Sequence, residues 1–420
     1  MMDSYYFNSS TILKYLRKVL NEINTEYVDS GLRAGFIMKR FAQKYKIRKS
    51  IAVKLVLLCF LKDIGCYYQY EKIDVANPMK AAASTYTFLK HCSPLKETAK
   101  ALLFYNSKYI PNLDSEDYYC GQLISLINQV VLYVYQEYTI EEIEQLLTID
   151  NKDKFDSEQV YQLIKLLKEE PDILDKLWQK NSLFVHEVGA FIQNANYSEE
   201  ELISYIDMTN FAFEFHNNET LGHTVTTAII AKELSKLSKL TETQISTIYF
   251  AALVHDIGKI KVPRKILCAP YKLEGNELTE MRYHVNYTKE ILEGCFSYKI
   301  VEIASNHHEM LDGSGYPKGL KALDLSIGDK IIAIADIASA LYCKRSYKES
   351  YPEEKIIEIL LDKVEQGKID RRLTNHFINN ISSIMKLAKE KESIVLKQYN
   401  EMKEEYDALI ESDSLCKFFN

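Results

Sequence analysis

The stretch TETQISTIYFAALVHDIG, residues 241–258, decides the fold of this chain. Its apolar residues recur every three or four positions, which is typical of an amphipathic helix. Thr241 and Gln244 stand where a capping box would begin the helix, and Gly258 stands where it would stop. The same spacing runs through most of the sequence, which contains only 14 Gly and 8 Pro. We therefore predict an all-α fold built of helical bundles.

The composition of the chain is that of an ordinary soluble globular protein. Of its 420 residues, 47% are hydrophobic and 26% are charged, and the length suits two or three domains. The formal net charge of −7 argues against binding to duplex nucleic acid. No secretory start is present, and no run reaches the roughly 18 apolar residues that a membrane span requires. We expect a cytoplasmic protein that has neither duplex nucleic acid nor a membrane as a partner.

Two pairs of segments indicate an internal repeat. LLCFLKDIG at 57–65 aligns with AALVHDIG at 251–258, and KFDSEQVYQLI at 154–164 aligns with KIDRRLTNHFI at 368–378. Any two amphipathic helices resemble each other, but this alternative does not explain the shared D-I-G ending. We infer an ancient duplication with a division near residue 175, which gives predicted domains at 1–175 and 176–420.

The sequence predicts a long, heavily charged helix downstream of about residue 372. The favoured interpretation is a solvated terminal helix packed on its own domain. A homodimer contact is the alternative, because several apolar residues would form one stripe. These residues are Ile394, Leu396, Tyr399, Met402 and Tyr406.

Buried carboxylates and clustered histidines point to metal binding. Six of the nine histidines lie between His216 and His308. Asp256 and Asp336 occur within the apolar runs AALVHDIGK and IIAIADIASAL, where an ionised carboxylate without a partner is costly. A cation removes that cost, although an aspartate that only caps a neighbouring helix is the structural alternative for Asp256.

The other candidate ligands gain weight from their number. Taken alone, an acid and a histidine four residues apart usually form a surface hydrogen bond, and a single helical histidine is usually a packing residue. The eight candidates are Glu219, His223, His255, Asp256, His284, His307, His308 and Asp336. Five imidazoles and three carboxylates exceed the needs of one ion and suit first-row transition metals. We infer two or three divalent ions that activate water for phosphoester hydrolysis.

Residues near these ligands are suited to binding a phosphorylated substrate. Lys259 would reach a phosphate oxygen that the metals also touch. In DGSGYPKG, Gly315 allows close backbone approach, Tyr316 can stack on a nucleobase and Pro317 stiffens the exit. Further cationic donors stand in CKRSYK, namely Arg345 and Lys348. The structural alternatives are solvated surface lysines and a plain surface turn.

Over roughly residues 200 to 385, these motifs resemble the HD-GYP phosphodiesterases of the HD metal-hydrolase superfamily. The resemblance implies tandem HD-type helical bundles and hydrolysis of cyclic di-GMP to pGpG or GMP, with Asp256 and Lys259 as catalytic residues. Glu219, four residues before His223, resembles the variant with three metals, commonly Fe or Mn. The resemblance also implies substrate binding by a further set, comprising Lys259, Gly315, Tyr316, Pro317, Arg345 and Lys348.

Departures from the family pattern leave two alternative functions open. Ser339 stands where the family commonly has a second Asp, and Ser346 replaces a usual Pro. These changes motivate a different substrate, such as 3′,3′-cyclic GMP-AMP. A receptor that binds the nucleotide without cleaving it is the third hypothesis.

The N-terminal half resembles a degenerate copy of the same domain. Ser30 replaces its first histidine, Lys62 the histidine of the His-Asp doublet and Cys66 the lysine that follows. We expect no metal cluster in this half. A regulatory, dimerising or ligand-sensing role is the hypothesis, and a purely structural platform is the alternative.

Overall fold

The computed structural model describes residues 9–66, 77–151, 153–178, 183–193, 198–214, 222–343 and 351–419. Within these ranges the regular structure is helical and contains no β-strand, which confirms the predicted all-α fold. None of the described helices is long and apolar enough to cross a membrane.

The helices α1–α21 follow one another along the chain. In order, they span Ser9–Asn21, Thr25–Lys44, Lys49–Leu61, Pro78–Cys92, Glu116–Tyr135, Ile140–Gln145, Ser157–Glu169, Asp172–Trp178, Leu183–Gln193, Glu199–Glu214, His223–Leu237, Glu242–Val254, Arg264–Leu267, Gly275–Arg282, His284–Leu292, Tyr298–Ser305, Ile327–Tyr342, Glu353–Glu365, Arg371–Ile378, Ile381–Ile410 and Asp413–Cys416. Short 3₁₀ turns cover Ile64–Cys66, Ala99–Phe104 and Ile257–Lys261, and a π turn covers Leu146–Asp150.

The chain packs into two compact units, each built from two stretches of sequence. The first unit takes Met1–Glu22 and Thr209–Lys397, and the second takes Ile23–Met208 and Gln398–Asn420. The predicted division near residue 175 concerns functional domains and stays a prediction.

Helix α12 begins as the sequence predicts but ends earlier. Gln244 N donates to Thr241 Oγ1 at 3.3 Å, and the Gln244 side chain accepts from Thr241 N at 3.0 Å, which confirms the capping box. The helix ends at Val254, four residues before the predicted stop at Gly258, because the chain tightens there into the turn Ile257–Lys261. A Cβ added at Gly258 would collide with the carbonyl oxygen of His284. Gly258 therefore permits close approach of this turn to α15.

Packing within the first unit brings the helices that carry the candidate ligands together. Helix α11 packs against α12 and α17, while α15 packs against the turn Ile257–Lys261 and against α16. Helix α1 lies on α15, where Lys14 Nζ donates to Gly294 O at 3.0 Å and Lys18 Nζ donates to Glu293 O at 2.7 Å. These amines satisfy carbonyl groups just past the end of α15.

In the second unit, α2 packs against α3, α5 and α9. Helix α4 packs against the turn Ile64–Cys66 and the turn Ala99–Phe104. The packing of α4 on the turn that follows α3 is similar to the packing of α15 on the turn that follows α12 in the first unit.

The long C-terminal helix that the sequence predicts is α20. The apolar residues of the predicted stripe are unequally exposed, since Met402 is 4% exposed whereas Ile394 is 51% exposed. The homodimer through such a stripe stays a prediction.

Candidate metal centre

Seven of the eight predicted ligands belong to the described residues, and five chain segments bring them together. Glu219 lies outside the described residues, as do Arg345 and Lys348. The seven ligands are His223 at the start of α11, His255 and Asp256 after α12, His284 at the start of α15, His307 and His308 after α16, and Asp336 within α17.

The ligand atoms form two groups that share a carboxylate. One group contains His223, His255 and Asp256, and the other contains His284, His307 and His308. Within each group the ligand atoms lie within 4.8 Å of one another. Asp256 Oδ2 lies 3.4 Å from His255 Nε2, and Asp256 Oδ1 lies 3.3 Å from His284 Nε2. Asp256 therefore presents one oxygen to each group.

Asp336 reaches both groups in the same manner. Its Oδ1 lies 3.1 Å from His223 Nε2, and its Oδ2 lies 3.4 Å from His308 Nδ1. The side chain is buried, so the two carboxylates and the imidazoles share one interior site.

Backbone carbonyl groups fix the tautomer of three histidines. His255, His284 and His307 each place Nδ1 within hydrogen-bond distance of the carbonyl oxygen three residues earlier, at 2.8, 2.7 and 2.7 Å. A carbonyl oxygen can only accept, so each Nδ1 carries the proton. Each Nε2 therefore points a lone pair into the site.

Ser339 fixes the orientation of the fourth imidazole. Its Oγ lies 3.0 Å from the carbonyl oxygen of His223, to which it must donate, and 2.9 Å from His223 Nδ1. With its proton committed to the carbonyl, Oγ accepts from Nδ1–H, which leaves Nε2 free as a ligand. Ser339 is fully buried and contacts the back of the His223 ring. The effect on guanine recognition inferred from this position stays a prediction.

The polar atoms inside the site fit a cation. His284 Nε2 and His307 Nε2 lie 3.2 Å apart although neither carries a proton to share. Among the described residues, His255 Nε2 and Asp256 Oδ1 are buried without a hydrogen-bond partner. Lone pairs that converge in a dry interior are stabilised by a positive ion, and imidazole with carboxylate suits first-row transition metals. The donor set therefore fits a cluster of more than one ion.

The ionisation states also suit metal binding. Burial lowers the pKa of His308 to about 3 and holds the pKa of His307 well below its ordinary value, so both imidazoles are neutral at neutral pH. Burial tends to raise the pKa of Asp256, but Lys259 together with His255 and His284 keeps this pKa well below the usual range. Burial also tends to raise the pKa of Asp336, but the hydrogen bond to His223 and the neighbouring imidazoles together lower it. Both carboxylates are therefore ionised.

The predicted substrate-binding residues lie beside the cluster where the structure describes them. Lys259 Nζ is hydrogen-bonded to the Asp256 carboxylate. The Tyr316 ring lies 4.7 Å from the His308 ring between centroids, and Tyr316 N donates to His308 O at 3.1 Å. A Cβ on Gly315 would collide with the backbone at Met310, so this loop folds tightly against the segment of the His-His doublet. Pro317 follows in the same loop.

Two residues near the site escaped the sequence reasoning. Glu309 is 2% exposed, and its carboxylate accepts hydrogen bonds from Lys318 N at 2.7 Å and Leu320 N at 2.9 Å. Its place directly after the histidine doublet was the available signal. Arg282 lies over the Tyr316 ring, 5.1 Å from the centroid, and no sequence pattern singled it out.

Comparison with known proteins identifies the domain that contains this site. Residues 207–373 match the family described as HD domain. The chain is 24% identical over 400 residues to 3′3′-cGAMP-specific phosphodiesterase 1 of Vibrio cholerae serotype O1, which covers 89% of this chain and 92% of that relative. It is 35% identical over 159 residues to a cyclic di-GMP phosphodiesterase of Thermotoga maritima, covering 37% of this chain and 43% of the relative.

One further relative matches over part of its length, and one solved structure matches over nearly all of its chain. 3′3′-cGAMP-specific phosphodiesterase 2 of Vibrio cholerae serotype O1 is 36% identical over 188 residues, or 43% of this chain, and the match spans 35% of that relative. A crystal structure described as a cyclic GMP-AMP specific phosphodiesterase of V. cholerae, V-cGAP3, aligns with a TM-score of 0.53 over 90% of this chain and 98% of that chain, at 17% identity. This likeness supports the fold alone. Residues 207–373 are therefore similar to the HD domain family, and the chain is related in sequence to phosphodiesterases of cyclic dinucleotides.

Proposed function

We propose that this chain is a metal-dependent phosphodiesterase that hydrolyses cyclic di-GMP to pGpG, GMP or both. The observation that carries the proposal is the pair of carboxylates, Asp256 and Asp336, each of which faces two groups of imidazoles. Two or three divalent ions, Fe or Mn by the family resemblance, would lower the pKa of a shared water and supply hydroxide for attack on phosphorus.

The other side chains of the site would orient the metal ligands and bind the substrate. Four of the five histidines hold Nε2 toward the centre without reorganisation. Backbone carbonyl groups fix the rings of His255, His284 and His307, and Ser339 fixes the ring of His223. Lys259, now paired with Asp256, has an ammonium group that can turn to a phosphate oxygen as negative charge develops there. Tyr316 forms a wall of the site beside His308.

3′,3′-Cyclic GMP-AMP is the second candidate substrate. A specific observation favours it, since the relative that matches 89% of this chain is named for that nucleotide. The match to a cyclic di-GMP phosphodiesterase covers 37% of the chain but at higher identity. A receptor that binds without cleaving is the remaining alternative.

Turnover of a panel of cyclic dinucleotides tests these proposals. The full chain, purified anaerobically and loaded with Fe or Mn, should convert cyclic di-GMP to pGpG or GMP. Faster conversion of 3′,3′-cyclic GMP-AMP would replace the substrate. Binding of a cyclic dinucleotide with no product after prolonged incubation would favour the receptor.

Removal of the shared carboxylate tests the metal cluster. Asp256→Asn keeps the shape of the side chain but removes its charge, so we expect the bound metal and the turnover to fall together. Elemental analysis and circular dichroism would separate metal loss from unfolding. Normal metal content in a folded Asp256→Asn protein would refute the cluster.

We further propose that the second unit is a copy of the HD-type bundle that binds no metal. In the first unit, Gly258 N donates to Thr288 Oγ1 at 3.0 Å, and Thr288 Oγ1 donates to His255 O at 2.9 Å. This pair of hydrogen bonds joins the turn of the D-I-G motif to α15.

The second unit contains the same pair of bonds at its own D-I-G motif. Gly65 N donates to Thr85 Oγ1 at 3.2 Å, and Thr85 Oγ1 donates to Lys62 O at 3.2 Å. A Cβ at Gly65 would collide with the backbone at Thr85, just as one at Gly258 would collide with α15. This correspondence supports the duplication independently of hydrophobic pattern.

A second correspondence lies further along the chain. Asp156 caps α7 by accepting from Gln159 N at 2.9 Å, and Asp370 caps α19 by accepting from Leu373 N at 3.0 Å. These are the helices that the sequence alignment of 154–164 with 368–378 pairs.

Residues that replace metal ligands in this copy bind to other side chains of the same unit. Lys62 is 3% exposed, and its ammonium group is hydrogen-bonded to the Asp63 carboxylate. Ser30 Oγ donates to Asn128 Oδ1 at 3.2 Å. An internal ammonium group supplies the positive charge for Asp63, so the copy needs no cation from solution.

Metal stoichiometry tests this part of the proposal. The Asp256→Asn chain should retain no tightly bound metal, because the second unit offers none. Asp63→Asn should leave the metal content at the wild-type value. Metal that persists in the first variant and disappears in the second would overturn the proposal.

A further inference from the structure

The loop that carries Tyr316 is held against the candidate metal centre. Its ring lies 4.7 Å from the His308 ring between centroids, and the planes are inclined by 36°. The backbone of Tyr316 is tied to the same residue, because Tyr316 N donates to His308 O at 3.1 Å. A residue that lies on Tyr316 is therefore a neighbour of the reaction.

Arg282 is such a residue. It ends α14, two positions before His284, and its guanidinium carbon lies 5.1 Å from the centroid of the Tyr316 ring. Met281, the residue directly before Arg282, offers its carbonyl oxygen to His284 Nδ1 at 2.7 Å. The backbone at Arg282 is thus tied to a candidate metal ligand.

The guanidinium group of Arg282 has its in-plane donors available. The residue is exposed, and within the described part of the chain no carboxylate forms an ion pair with it. Stacking on an aromatic ring uses the face of a guanidinium group and leaves the N–H edges for bidentate hydrogen bonds to a phosphate. By contrast, Lys259 is paired with Asp256.

We propose that Arg282 binds the second phosphate of the substrate, the one that is not cleaved, while Tyr316 holds its guanidinium group in place. This inference rests on the proposed function, because a cyclic dinucleotide carries two phosphodiester groups. One of them must lie at the metal centre and Lys259 to react. The other needs a cation at the rim, and Arg282 provides it.

The test compares a substrate that has two phosphodiesters with one that has a single phosphodiester. The metal-loaded full chain is assayed with cyclic di-GMP, with 3′,3′-cyclic GMP-AMP and with bis(p-nitrophenyl) phosphate. For Arg282→Ala we expect KM for the cyclic dinucleotide to rise about tenfold to a hundredfold, the range for one charge-assisted contact. The kcat/KM for bis(p-nitrophenyl) phosphate and the metal content should stay at the wild-type values.

Two further variants separate charge from geometry. Arg282→Lys keeps the charge but not the fork of donors, so the rise in KM should be smaller. Lys289→Ala removes an exposed charge from α15, where its side chain is 50% exposed, and should leave every constant unchanged. Titration of cyclic di-GMP into chelator-treated protein, in which no turnover occurs, should rank the affinities in the same order.

Each remaining outcome overturns a stated claim. Equal KM values for wild type and Arg282→Ala, with active wild type, would overturn the role of Arg282 alone. A loss confined to guanine at one position of the panel would assign Arg282 to a base edge and overturn the phosphate contact. Hydrolysis of bis(p-nitrophenyl) phosphate without hydrolysis of any cyclic dinucleotide would overturn the proposed substrate class and this inference with it.

Discussion

The substitution Ser339→Ala tests whether a hydroxyl group behind His223 governs metal affinity. The serine donates to His223 O at 3.0 Å and accepts from His223 Nδ1 at 2.9 Å, in a fully buried position. Alanine removes both bonds and leaves the Nδ1–H group without its acceptor. The ring then gains by turning or by changing tautomer, and either change takes the Nε2 lone pair away from the site.

The expected effect is a weaker metal site in a folded protein. Loss of a hydrogen bond behind a metal-binding histidine typically lowers metal affinity about 10- to 100-fold, which corresponds to about 1.4 to 2.7 kcal/mol. The assay is elemental analysis of the protein after dialysis against a graded series of chelator concentrations. It needs no substrate, so it reports on the ligand and not on catalysis.

Ser235→Ala is the matched control. Ser235 lies in α11, the helix that begins at His223, is also fully buried, and donates to Ala231 O at 2.7 Å. Both variants lose a serine Oγ, so we expect each to lower the free energy of unfolding by about 1 kcal/mol. Ser235→Ala should leave the retention of metal unchanged. If Ser339→Ala retained metal as well as Ser235→Ala, the role of Ser339 would be refuted.

Two further predictions concern Glu309 and Glu405. Glu309→Gln replaces one acceptor by a donor, so the amides of Lys318 and Leu320 should exchange hydrogen about tenfold faster while the metal content is unchanged. Hydrogen-exchange mass spectrometry would record the change. Unaltered exchange would exclude the role of Glu309 in holding these two amides. Burial tends to raise the pKa of Glu405, but hydrogen bonds from Lys90 at 2.6 and 2.7 Å help lower it below its usual value. Its stabilisation is therefore present above the ordinary glutamate range, about pH 4.3, and is lost as the pH falls through the lower folded value. Urea unfolding of Glu405→Gln should show a deficit of about 1 kcal/mol at pH 7 that shrinks in acid, and a deficit independent of pH would contradict the assignment.

Local sequence patterns predicted what local interactions decide. The capping box of Thr241 and Gln244 spans three residues, and the structure contains both of its hydrogen bonds. The end of the same helix was wrong by four residues, because it depends on close packing of Gly258 against α15. Helices α13 and α14 lie between these two segments in the chain, so a local sequence pattern does not indicate the contact.

The candidate ligands could be chosen from the sequence because burying them without a cation is costly. Their arrangement could not, since the two oxygens of Asp256 face histidines from α15 and from the end of α12. The contact of Ser339 with His223 joins residues 116 positions apart. In the sequence, Ser339 is a departure from the family pattern that suggests a change in the substrate pocket. Three-dimensional packing places it behind the candidate ligand His223 instead.

The two D-I-G motifs show why one spacing can serve opposite electrostatic solutions. In each unit a glycine and a threonine fix the turn, so the aspartate two positions before the glycine is held in a set place whatever surrounds it. Asp63 meets the ammonium group of Lys62, a cation that the chain itself supplies. Asp256 meets imidazoles on both sides in addition to Lys259, and one of its oxygens is left without a hydrogen bond among the described residues. Each aspartate therefore has a lysine partner, and the difference lies in Asp256 Oδ1, which has no hydrogen-bond partner within the described residues and lies beside converging imidazole nitrogens. That arrangement is the one that an ion from solution would stabilise.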